Sequence, residues 1–195
     1  MSQAIEKAIA TTQQAFIHGV WPEVSCVIGG GRIIPVENVS DKKFLDTYSG
    51  IDHWHVLDGR NLIRGIASRC QWPLYKRFQS FTVRIGRANV AATELAKRMH
   101  AMENAEKGWL RPHLFIQAFF GPPKGSYSQF LYAGIARMDD ILRIIRDGKE
   151  GRDADWYVDT TSTKYGQTDA KRFAVVPFDT VKRWGCDFIL CEKTK

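Results

Sequence analysis

The stretch IDHWHVLDGRNLIRGIASRCQ, residues 51–71, decides the fold. Ile51 to Leu57 reads as a strand, Asp58-Gly59-Arg60-Asn61 as a turn, and Leu62 to Gln71 as the returning strand. With the four residues 58–61 as the loop, Leu57 stands opposite Leu62 and Asp52 opposite Ala67. Directly opposed residues share a face. Asp52, Trp54, Val56, Ala67, Arg69 and Gln71 therefore belong to one side, and His53, His55, Ile66 and Ser68 to the other. A loop one residue longer or shorter would exchange the two faces.

Toward the N-terminus, residues 3–18 place Ile5, Ile9 and Phe16 at helical intervals, so an amphipathic helix is expected to run to Gly19. Residues 24–37 are two apolar runs around Gly29-Gly30-Gly31. A phosphate-binding loop would need Lys-Ser/Thr after the glycines, and Arg32-Ile33-Ile34 follows instead, so a hairpin turn is expected. Toward the C-terminus, an aromatic and basic connection (72–79) leads to a strand from Ser80 to Ile85. A helix is expected over 89–106, with Ala91, Leu95, Met99 and Met102 as its apolar stripe and Asn89 as its cap. Two apolar strands, His113–Phe120 and Gln129–Arg137, precede a short helix that starts at Asp139 or Asp140 and stops at Gly148. Residues 149–172 read as a polar loop or flap, and two short strands close the chain around Phe173–Phe178 and Phe188–Cys191. This order implies an α/β (or α+β) fold, a mixed central sheet with helices packed against it. It reads as a single domain over 1–195, with its core in 1–148 and a C-terminal loop and strands in 149–195.

Composition narrows the class. The chain has 195 residues, 44% hydrophobic and 25% charged, with 16 Gly and 7 Pro in no repeat. That excludes general disorder, collagen-like and low-complexity proteins. The net charge is +7, and it is not spread evenly. Residues 60–111 carry eleven basic and three acidic side chains, a surplus of eight, on a nearly neutral remainder. Clustered surplus charge fits a polyanionic partner; the plainer reading is a solvated basic face. The four cysteines have no C-x-x-C spacing, so free, mostly buried thiols in a reducing compartment are expected. With no signal-like N-terminus and no apolar run of ~18 residues, a cytoplasmic location and no membrane partner follow as expectations.

Gly50-Ile51-Asp52, an Asp entering a strand that turns back as a second strand, resembles the PD-(D/E)XK nuclease superfamily. The resemblance implies a restriction-endonuclease-like core over residues 3–120: a helix, a three-stranded meander, a second helix and a fourth strand. It makes Asp52 the first acidic position. The second motif, a carboxylate and a Lys two residues apart, falls on Ala67-Ser68-Arg69, with Ala in place of the acid and Arg in place of Lys. Family members exist in which an active-site residue has moved to the neighbouring helix, so the missing acid is assigned to Glu94, with Asp46 as the other donor. On this reading Asp52, with Glu94 or Asp46 as the second carboxylate, holds Mg²⁺ (or Mn²⁺), which activates water for phosphodiester hydrolysis. Arg69 and Lys97 stabilise phosphate charge, although Arg is a poor proton-transfer group.

The interleaving of basic and aromatic residues adds a nucleic-acid surface: Arg69, Gln71, Trp72, Tyr75, Lys76 and Arg77, extended by Arg84, Arg87 and Arg98. Each assignment has a structural counterpart. Glu94 with Lys97 or Arg98 is also the spacing of a helix-surface ion pair. Asp52 also suits a turn cap. Arg69 and Gln71 also suit buried polar partners, and Trp72 and Tyr75 a cover over the core. His53 and His55, two apart on one face, suit a metal site or plain packing, with His100 and His113 elsewhere in the chain. Three functions follow: a DNA-acting, Mg²⁺-dependent endonuclease; a nucleic-acid-binding module without catalysis; or a protein-binding or inhibitor protein. A second copy of the chain is an open option as partner.

Overall fold

The structure, a computed structural model, describes residues 10–36, 49–72, 79–87, 93–123, 126–152, 154–161 and 171–193. A helix, α1, runs through 10–24, with a π-helical turn at Phe16–Val20 and an α-helical end at Trp21–Val24. A 3₁₀ turn, Cys26–Ile28, leads into β1 (Arg32–Pro35). β1 pairs antiparallel with β2 (His53–Leu57), and β2 with β3 (Leu62–Gln71). The hairpin register is the one the loop length requires: Leu57 faces Leu62 and His53 faces Ile66.

β4 (Ser80–Arg87) and α2 (Glu94–Glu103) come next, followed by β5 (Pro112–Phe120), β6 (Phe130–Arg137) and α3 (Met138–Asp147). β7 (Tyr157–Thr161), β8 (Lys171–Pro177), α4 (Phe178–Arg183) and β9 (Phe188–Glu192) complete the chain. Among the described residues the strands form two sheets, ordered β1-β2-β3-β5-β6-β9 and β4-β8-β7. β3 and β5 are parallel and the other pairs antiparallel, so the large sheet is mixed and the fold is α/β with helices packed on the sheet.

Alternation along β3 and β5 assigns the two faces. Ala67, Phe115 and Phe119 point into a core shared with Phe81, Val176, Phe178, α3 and α4. Ile66, Ile116 and Ala118 point the other way, under Phe16, Val20 and Val24 of α1. Burying both faces explains why β5 and β6 read as nearly continuous apolar runs.

Several expectations are corrected. α1 does not stop at Gly19: that residue is buried, and a Cβ there would lie 2.6 Å from the Tyr127 carbonyl, so glycine serves close packing. Gly29-Gly30-Gly31 does not join two strands of a hairpin; it turns a 3₁₀ end into β1 with φ of 100°, 72° and 87°. Three left-handed residues in a row are accessible only to glycine at low cost. The strand at 80–87 leaves the large sheet and pairs with β8. α2 is capped by Thr93, whose Oγ1 accepts from Ala96 N–H at 3.2 Å. β7 lies within the expected polar loop, and α4, six residues long, is too short to show helical periodicity in the sequence. Asp46, Tyr75, Lys76, Arg77 and Asn89 lie outside the described residues.

Candidate nucleic-acid interface

Glu94 sits at the first turn of α2, where the Thr93 cap points it back toward the sheets. One carboxylate oxygen accepts from Arg69 Nη2 at 2.5 Å and from the Arg84 N–H at 3.2 Å; the other accepts from Arg98 Nη2 at 2.6 Å. Arg69 comes from β3, Arg84 from β4 and Arg98 from one turn along α2. Burial alone would raise the Glu94 pKa, but Arg69, Arg98 and the Arg84 backbone and side chain outweigh it and hold the carboxyl below its usual range. Arg98 is buried, with its guanidinium 5.0 Å from the Phe115 ring centre. Arg69 and Arg84 both lie over Phe173. The structure thus brings together four of the predicted residues, Arg69, Arg84, Glu94 and Arg98, as an internal tie between both sheets and α2.

The other predicted residues are placed as follows. Asp52 Oδ2 accepts from the Ser68 N–H at 2.6 Å and lies 3.4 Å from the Ser68 hydroxyl. Gln71 donates to Thr82 Oγ1, which donates in turn to the buried Gln117 Oε1. Trp72 stacks on Phe120 at 5.1 Å and donates its indole N–H to the Ser126 carbonyl at 3.0 Å. It covers the α1-side core rather than presenting a face to a base. Lys97 is half-buried on α2, and Arg87 is the last residue of β4.

The donor set at Glu94 does not fit Mg²⁺. A dication there would have to displace two guanidinium groups and sit within a surplus of positive charge. Mg²⁺ also keeps several waters, whereas Ala67, at the second motif position, is fully buried in the apolar core with Phe81 and Phe115. Among the described residues no group of three or more His, Cys, Asp or Glu side chains is arranged to hold a metal ion.

His53 and His55 also have structural partners, and their face is a packed one. His53 is fully buried, stacked on Phe16 at 4.3 Å, and desolvation lowers its pKa to about 4. His55 Nε2 donates to the Gly30 carbonyl at 2.6 Å, while Nδ1 accepts from Arg64 Nε at 3.0 Å. Arg64 Nη2 donates to the Ile28 carbonyl at 2.6 Å. The end of the 3₁₀ turn and the glycine loop after it thus present one carbonyl each to one His–Arg chain. At Gly31 a Cβ would lie 2.3 Å from the Val56 carbonyl, which the chain's close approach forbids.

That chain leads to a feature absent from the sequence reading. Arg64 lines a groove of about 550 Å³ together with Arg60, His113, Arg137, Asp187 and Ile189. Because β3 and β5 are parallel and β6 antiparallel, the starts of β3 and β5 and the end of β6 share one end of the sheet. Among the described residues none of the three arginines is paired with a carboxylate. The cations act on one another: desolvation lowers the Arg64 pKa and Arg60 adds to it. Desolvation also lowers that of His113, with Arg111, Arg64 and Arg137 adding against Asp139. The Gly65 N–H donates to His113 Nδ1 at 3.1 Å, so the neutral ring carries its proton on Nε2 as a further donor. Arg60 and Arg64 belong to the basic segment. Arg137 and His113 lie beyond it and gave no signal, because only strand pairing brings them beside β3.

No family model matches the chain, and no match is found among the curated proteins or the solved structures.

Proposed function

We propose that this protein binds nucleic acid through the groove at the end of the large sheet, as a binding module without metal-dependent hydrolysis. The observation that carries the reading is the convergence of Arg60, Arg64 and Arg137, none paired with a carboxylate among the described residues, on one cleft with a single acid. Burial and the neighbouring Arg60 charge both lower the Arg64 pKa, the mark of a positive potential that a phosphate backbone relieves. The apolar floor, with Leu114, Ile135 and Ile189, suits sugar and base edges beside the phosphates. The predicted interior arginines take no part, because Arg69 and Arg98 are committed to Glu94.

The test is fluorescence anisotropy with labelled single-stranded and duplex oligonucleotides over a salt series. Three phosphate contacts predict a log–log salt slope of about −3 on duplex. Arg60→Glu and Arg137→Glu should each weaken binding roughly tenfold and flatten the slope. Chelator should change nothing, and supercoiled plasmid should stay intact with Mg²⁺ or Mn²⁺. Absent binding at low salt, or binding unaffected by both reversals, overturns the groove. Metal-dependent nicking lost in Glu94→Gln would restore the endonuclease reading.

A further inference from the structure

The sheet edges differ in how they are closed. On the small sheet, the Thr82 and Arg84 N–H groups that turn away from β8 are taken by Gln117 Oε1 and Glu94 Oε2, both at 3.2 Å. On the large sheet, β1 spans four residues and ends on Pro35, which has no N–H to offer. β9 has neither device. The Lys193 N–H donates to the Leu131 carbonyl at 3.0 Å, and Glu192 stands opposite Tyr132. In an antiparallel ladder the backbone groups alternate in direction, so residues 189, 191 and 193 face β6. Phe188 and Leu190 therefore turn their N–H and C=O groups outward, and among the described residues no hydrogen bond occupies them. Ile189 and Leu190 are 37% and 36% exposed on this strand. An apolar edge without proline or an inward charge is a template for another strand.

The charges beside β9 select the occupant. Asp187 and Lys193 lie three residues before and after Leu190. We propose that the chain forms a two-fold dimer in which β9 pairs antiparallel with β9 of a second copy, centred on Leu190. That register sets Asp187 against Lys193 of the second copy, twice, on the same face. Among the described residues Asp187 has no ion-pair partner, and the Lys193 ammonium donates to the Ser128 carbonyl at 3.3 Å rather than to a carboxylate. A parallel pairing would instead oppose Asp187 to itself, which like charges disfavour. Asp187 and Ile189 also line the groove, so the test reads association alone, with no nucleic acid present.

Sedimentation velocity of the full chain over a concentration series reads the association. The wild type should sediment as a concentration-dependent dimer. Leu190→Pro removes an outward N–H while leaving the β6 pairing intact, so it should be monomeric with unchanged far-ultraviolet circular dichroism. Asp187→Lys should raise the dissociation constant roughly tenfold, by turning two attractive pairs into repulsive ones. Asp187→Lys with Lys193→Asp should restore it, and this swap carries the test if the proline variant does not fold. A wild type that stays monomeric throughout, a Leu190→Pro chain that dimerises as tightly, or a double swap that fails to restore association overturns the proposal.

Discussion

The two faces of the large sheet bury polar side chains in opposite ways. On the face toward the small sheet, Arg69 and Arg98 keep their charge and close on Glu94. On the face under α1, His53 lies against Phe16 with its pKa lowered to about 4, so it is carried neutral at pH 7. The same hairpin supplies both, since Arg69 and His53 belong to strands paired in one ladder. Burial of charge demands a partner, whereas a histidine escapes that demand by releasing a proton. The first face is therefore strong only while every partner is present, and the second only while the pH keeps its ring neutral.

Removing the partner from the charged face should have the largest effect. Glu94→Ala leaves Arg98 buried without a counter-ion and the Arg84 N–H without an acceptor, so unfolding free energy should fall by about 3–5 kcal/mol. Urea denaturation reads it; a loss within experimental error would show the ion cluster to be incidental. Acid should act on the same face: a carboxyl held below its usual range contributes stability above the unfolded-state pKa. That contribution disappears as pH falls through the folded-state value.

The neutral face should respond at higher pH. His53 binds a proton in the unfolded chain near the ordinary histidine value of 6.5 and in the native state only near 4. Its contribution is complete above 6.5 and shrinks as pH falls toward 4, by about 3 kcal/mol in total. His53→Phe keeps the stacking on Phe16 and should flatten the stability–pH curve in this window. An unchanged curve would place the titration elsewhere.

The smallest expected effect concerns Trp72. Trp72→Phe keeps a ring against Phe120 and deletes the bond to the Ser126 carbonyl, costing about 1 kcal/mol. Oligonucleotide affinity should not change. A loss of affinity without a loss of stability would move the interface from the groove to this side of the sheet.

What was readable along the chain was local. The four-residue loop 58–61 sets the register of β2 and β3 through the period-two alternation, and the structure agrees pair by pair. The apolar runs at 113–120 and 129–137 announce strands buried on both faces, and the stripe Ala91, Leu95, Met99, Met102 announces α2, although not its cap at Thr93. Arg69 and Glu94 stood out by residue type, but their relation did not. Whether a carboxylate meets a metal or an arginine depends on what another element brings within ~4 Å, and sequence spacing carries no such information between β3 and α2.

The surplus charge makes the same division. That residues 60–111 are strongly basic is a property of the sequence alone. Tertiary structure decides which arginines are spent: Arg69 and Arg98 on an internal carboxylate, Arg111 on Asp139, Arg64 and Arg60 on a cleft completed by Arg137. Local backbone chemistry and periodicity act over a few residues and are written in order along the chain. Charge pairing acts through space, and only the parallel union of β3 with β5 brings the groove's residues to one place.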